Sequence, residues 1–143
     1  MILVDVNVLV HAFHAGSPDH AAYRDWLART VGADEPFGVS ELVLSGFVRV
    51  VTHPRVFDPP VPLTDALAFA DALRGQPSAV ILAPGPRHWE IFERLCAGAG
   101  AKGNLVPDAY LAALAIETGC EWITSDRDFS RFAGLRWRHP LAD

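Results

Sequence analysis

The opening stretch MILVDVNVLV constrains the fold of this chain more tightly than any other part of it. Ile2, Leu3 and Val4 follow one another with no polar alternation, the pattern of a strand covered on both faces rather than one lying at an edge. The run is interrupted by Asp5 and Asn7 and resumes as Val8-Leu9-Val10. A carboxylate is therefore expected where a buried central strand stops and a helix starts. In open parallel α/β sheets that is the end at which ligands bind.

The remaining chain alternates in the same way. Ser17-Pro18-Asp19 predicts an N-cap, a proline at the first helical position and an acid in the first turn of a helix carrying Tyr23, Trp26, Leu27 and Val31 and ending near Gly32. Pro36 to Val39 leads into the apolar helix LVLSGFVRVV, which Ser40 can cap; Glu41 then falls in its first turn, where the helix dipole favours an anion. Thr64 predicts a further cap, with Leu67, Phe69, Ala70 and Leu73 inward and Gly75 closing the helix. Ala79 to Leu82 reads as a third strand, and Pro84-Gly85-Pro86 turns it into a helix with Trp89, Ile91, Phe92, Leu95 and Cys96.

Gly98 to Gly103 matches GxGxxG letter for letter, but a helix precedes it where a dinucleotide loop needs a strand, so it reads as a connection. Pro107 belongs in the first turn of the next helix and sets Asp108 at its N-terminus. The residues that follow are apolar on nearly every face, which predicts a buried helix ended by Gly119. Trp122-Ile123-Thr124 is a covered strand running into Ser125-Asp126-Arg127-Asp128, and GLRWRHPL adds a last short strand.

Composition narrows the function. At 143 residues the chain is one domain's worth, residues 1–143. Half of it is hydrophobic and the mean hydropathy is +0.18, so some apolar surface is expected to be covered by a second copy or a partner. The net charge of −5 excludes a general polyanion-binding surface, and any nucleic-acid contact must be local. Arg49 and Arg55 are candidate phosphate contacts, and Arg127, Arg131, Arg136 and Arg138 gather near the C-terminus. Cys96 and Cys120 read as reduced thiols, and His11 and His14, three apart, as structural residues rather than a metal pair. With no leader-like segment and no apolar run of ~20 residues, a cytoplasmic location with no membrane association is expected.

Asp5 and Asp126 follow strands, while Glu41 and Asp108 open helices; in a βαβ arrangement those ends share one rim. Unit charges ~4 Å apart repel by about 4 kcal/mol at an effective dielectric near 20, more than helix ends offset for four carboxylates. No basic neighbours in sequence are placed to pair them. Either some of the group is protonated or a divalent cation sits among them, and a site of hard oxygens alone suits Mg²⁺ or Mn²⁺. Two other classes fit an Asp after a strand. A phosphotransfer enzyme with an aspartyl nucleophile wants a well-placed Lys, and Lys102 is the sole lysine; a non-catalytic RNA- or partner-binding module would keep the acids without the chemistry.

DVNVL, Ser40-Glu41, PDAYLAALA and ITSDRDF, in this order and spacing, resemble the PIN-domain ribonucleases, and the overall layout is similar to the VapC-type toxins of toxin–antitoxin pairs. The resemblance implies a three-layer α/β fold with a central, mostly parallel sheet flanked by helices. It further implies an Mg²⁺- or Mn²⁺-dependent endoribonuclease that hydrolyses RNA through metal-activated water, a homodimer, and a VapB-type antitoxin whose peptide covers the active groove. Carried over by position, Asp5, Glu41, Asp108 and Asp126 would be the catalytic quartet, Asp128 a further acid on the metal beside Asp5, Asp108 and Asp126, and Asn7 and Thr124 polar supports.

Overall fold

The computed structural model describes residues 1–142. Five strands, β1 (Ile2–Val4), β2 (Phe37–Val39), β3 (Ala79–Ile81), β4 (Glu121–Ile123) and β5 (Trp137–Arg138), form one sheet in the order β3-β2-β1-β4-β5. Every pairing is parallel, so the expected mostly parallel sheet is wholly so among the described residues. Parallel neighbours need long crossovers, and six helices supply them: α1 (Val6–Phe13), α2 (His20–Gly32), α3 (Glu41–Val51), α4 (Leu63–Arg74), α5 (His88–Ala99) and α6 (Leu105–Thr118). A 3₁₀ turn, Arg127–Arg131, follows β4.

The apolar opening run does what its pattern predicts. β1 is the middle strand, registered with β2 through Leu3 and Gly38 and with β4 through Leu3 and Trp122, and Leu3 and Trp122 are fully buried. From β1 the chain builds outward through β2 and β3, then returns to lay β4 and β5 on the other side. The strand order therefore reverses between β1 and β4. Crossovers leave in opposite directions there, opening a crevice beyond the strands' carboxyl ends.

Local chemistry fixes the helices, with two departures from expectation. Asp19, not Ser17, is the residue before α2; it lies in the left-handed region (φ 58°) and its side chain makes no cap bond. Thr64 lies inside α4, which starts after Pro62, a residue whose ring presets φ but has no side-chain acceptor. Of the residues expected inward on α4, Ala70 and Leu73 are buried and Phe69 packs against the core, whereas Leu67 is exposed and Ala66 is buried instead. Ser40 caps α3 as expected, its hydroxyl accepting from Val43 N at 3.3 Å. Gly98 to Gly103 spans the end of α5 and the link to α6, with Gly100 in the left-handed conformation that closes a helix. Pro107 is the third residue of α6, where no intrahelical N–H is needed, and Gly119 (φ 71°) ends that buried helix. The two cysteines are free thiols. No described helix is long and apolar enough to cross a membrane.

Candidate active site

Asp5 leaves β1 and caps α1: its Oδ1 accepts from Val6 N at 2.7 Å, and the backbone there is extended as an N-cap requires. Its Oδ2 accepts from the Thr124 hydroxyl at 2.7 Å and from Asn7 Nδ2 at 3.1 Å. Thr124 directly follows β4 and is fully buried; its oxygen also accepts from Asn7 Nδ2 at 3.1 Å and from Asp126 N at 3.0 Å. Asn7 Oδ1 accepts from Ser125 N at 3.2 Å, so the network clasps the β1 and β4 ends together across the switch point. These bonds favour the ionised carboxylate. Burial outweighs them, and with Asp126 adding like charge the Asp5 carboxyl is raised to about 6.

Asp126 caps the 3₁₀ turn, its Oδ1 accepting from Asp128 N at 2.9 Å. Asp108, in the first turn of α6, is also raised to about 6, first by burial and then by the charges of Asp5, Asp126 and Asp128. Three elements far apart in sequence thus bring four carboxylates within electrostatic reach of one another. No three of them close around a point at metal-ligating separation among the described residues.

Glu41 stands apart. It lines the same cavity as Asp5 and Asp108, but its Oε2 is 3.0 Å from Arg74 Nη2 of α4 and its side chain is 63 % exposed. The expectation that no base pairs the acids is corrected at this position. Arg74 could not be foreseen because it lies 33 residues along the chain and meets Glu41 only where α3 packs on α4.

The cavity beside the acids measures about 840 Å³ and runs between α3 and α6, with Leu82, Phe92, Val106 and Leu111 on its walls. Of the arginines singled out from the sequence, Arg49 lines it; Arg55 lies exposed beyond α3, and Arg127 and Arg131 are exposed on the 3₁₀ turn that carries Asp128. His11 and His14 are not a pair: His11 packs on Tyr23 (4.8 Å between rings) and His14 on Phe57 (4.4 Å). Two further anchors were not legible in the sequence. His88, buried in α5, lies 2.8 Å from the Tyr110 carbonyl of α6, and the Glu117 carboxylate accepts from Gly85 N and Arg87 N, so α6 is tied to the segment entering α5.

A parallel sheet with a buried aspartate at its switch point and a second group of acids on the neighbouring strand and helix defines a class. Residues 2–135 match the PIN domain family, and the chain belongs to that family. Within it, the chain is 50 % identical over 141 residues to ribonuclease VapC43 of Mycobacterium tuberculosis, covering 99 % of this chain and 96 % of the relative. It is 44 % identical over 140 residues to ribonuclease VapC25 of the same species, covering 98 % and 99 %. It is a ribonuclease of the VapC group. Among solved structures the chain superposes on VapBC-1 from nontypeable Haemophilus influenzae with a TM-score of 0.72 at 14 % identity, covering 99 % of this chain and 100 % of that one. Mycobacterium tuberculosis VapC20, described as a sarcin-ricin loop cleaving toxin, superposes at 0.68 and 20 % identity, covering 94 % and 96 %. Similarity at that level shows the shared fold.

Proposed function

We propose that the chain is a divalent-metal-dependent endoribonuclease in which Asp5, Asp108 and Asp126, with Asp128 at their margin, hold Mg²⁺ or Mn²⁺. The observation that carries this reading is the gathering of the acids: the Asp108 carboxyl is pushed up to about 6, first by burial and then by the charges of Asp5, Asp126 and Asp128 beside it. The donor set fits a hard cation, being oxygen alone, with no thiolate or imidazole at the cluster. When bound, such a cation supplies charge neutralisation at the phosphodiester and a more acidic water.

The chain's own residues do the positioning. Thr124 and Asn7 occupy Asp5 Oδ2 and Val6 N takes one lone pair of Oδ1, leaving the second lone pair of Oδ1 for a ligand. The backbone amides of Asp126 and Asp128 fix the turn that presents the second acid. Glu41 faces the same cavity from α3, where release from Arg74 would add a fourth catalytic carboxylate. Arg49, Arg55, Arg127 and Arg131 are the cations available to hold flanking phosphates, which a wholly acidic site would repel. Attack by water rather than the ribose 2′-oxygen leaves 5′-phosphate and 3′-hydroxyl ends.

The same reading makes the chain a cytoplasmic, homodimeric toxin restrained by a cognate VapB-type antitoxin; solved VapBC structures share its fold. The exposed Val56 and Leu63, away from the cavity, are apolar surface such partners would cover. Wild-type protein should cleave RNA in Mg²⁺ and lose that activity in EDTA, and Asp126→Asn should remain folded yet inactive. Full cleavage by either the EDTA-treated protein or the variant would remove the assignment.

A further inference from the structure

We propose that the chamber beside Asp5 and Asp108 is a subsite for one unstacked nucleobase of the substrate strand, with Arg49 holding the phosphate beyond it. This rests on the nuclease reading above and adds which part of the RNA the chamber takes. The chamber begins at the acids, so the nucleoside next to the scissile phosphate has to enter it or be excluded by it. At about 840 Å³ it lies within the usual range for small-molecule sites, roughly 300–1,000 Å³.

Its chemistry selects the base over the backbone. Leu82, Phe92, Val106 and Leu111 offer nothing to an anionic phosphodiester, whereas the faces of a nucleobase are apolar. Phe92 and Tyr110 meet edge to face, with ring centroids 5.5 Å apart, and Trp89 packs on Phe92 from outside at 5.1 Å. That aromatic wall suits stacking, and the exposed Ser45 on the facing helix offers a hydroxyl to a base edge.

The α3 face sets the direction of the strand. Glu41, Ser45 and Arg49 fall at i, i+4 and i+8, so all three line the chamber, and the small Ser45 leaves its middle open. Gly46 beside it lets α1 close the floor: a Cβ there would stand 3.0 Å from Val6 Cγ2. Arg49 lies ~12 Å along the helix from Glu41 and forms no ion pair among the described residues, leaving its guanidinium for a phosphate. A duplex keeps its bases stacked inside, so only an unpaired nucleotide can turn its base into the chamber.

The test uses the Asp126→Asn chain, a fluorescent single-stranded RNA of mixed sequence, and the matching abasic ribose-phosphate strand. Removing the bases should weaken binding about ten-fold in anisotropy. Adding Ser45→Phe, which fills the chamber, should bring the RNA down to the abasic level with an unchanged melting temperature, while Ser45→Thr keeps the preference. In the otherwise wild-type chain Ser45→Phe should raise KM. Equal binding of the two strands, binding of neither, or RNA binding indifferent to Ser45→Phe would overturn the subsite. So would a Ser45→Phe chain that handles RNA normally but no longer binds its protein partner, which would give the chamber to that partner. A wild-type chain that binds with base preference yet never cleaves would support the subsite and sink the nuclease chemistry instead.

Discussion

The Thr124 hydroxyl donates to Asp5 Oδ2 at 2.7 Å, joining two residues 119 positions apart at the ends of adjacent strands. The same oxygen accepts from Asp126 N, so one buried hydroxyl sets both the first acid and the turn that carries the second. Thr124→Val keeps the shape and removes the hydroxyl. It should cost roughly 1–3 kcal/mol in urea unfolding, because the Asp126 amide and Asp5 Oδ2 each lose a partner in a buried place. Divalent-cation affinity, measured by calorimetry, should fall in parallel; an unchanged affinity would mean that Thr124 serves the fold alone.

The raised Asp108 carboxyl has a stability consequence with a definite sign. Its folded value of about 6 exceeds the ordinary 3.8, so between those pH values the folded state holds the proton more tightly than the unfolded one. Stability from this group is therefore complete below pH ~4 and is lost as pH rises toward ~6. In EDTA, Asp108→Asn should match wild type near pH 4 and exceed it by about 1 kcal/mol at pH 7.5, a figure discounted for the half-buried setting. Added Mn²⁺ should reverse the order at pH 7.5 by stabilising wild type alone. Thermal melts across pH, with and without the cation, check both halves.

Arg74 and Glu41 form an exposed pair, so Arg74→Gln should change stability by less than ~1 kcal/mol. Its effect should appear in the cation affinity, which rises if the freed Glu41 joins the other acids. Electron paramagnetic resonance of titrated Mn²⁺ separates the two effects. Loss of cleavage without tighter Mn²⁺ binding would instead make Arg74 a substrate contact.

Gly38 sits where β1, β2 and the segment after β3 crowd together. A Cβ there would lie 2.7 Å from Leu82 Cδ1 and 3.0 Å from the Ile2 carbonyl oxygen, and the latter is backbone that cannot turn aside. Gly38→Ala should destabilise by roughly 1–3 kcal/mol in denaturant unfolding. Because β2 leads into Ser40 and Glu41, the variant should also weaken activity more than the stability loss accounts for.

The sequence alone determined the features that depend on neighbours along the chain. An unbroken apolar run gave a buried strand at Ile2–Val4, Ser40 gave a helix start, and Gly119 gave a helix end, because patterning, caps and left-handed closures act over a few residues. It also placed Asp5, Asp108 and Asp126 at the ends of elements, which is where a parallel sheet collects ligands. The caps expected at Ser17 and Thr64 fall instead at Asp19 and Pro62, and on α4 Ala66 rather than Leu67 takes the inward position beside Ala70 and Leu73. Only the tertiary structure decided that Glu41 pairs with Arg74, that Thr124 and Asn7 brace Asp5, and that an apolar chamber adjoins the acids. Those contacts join residues dozens of positions apart. Their distances are set by how helices seat on the sheet, which local pattern does not encode.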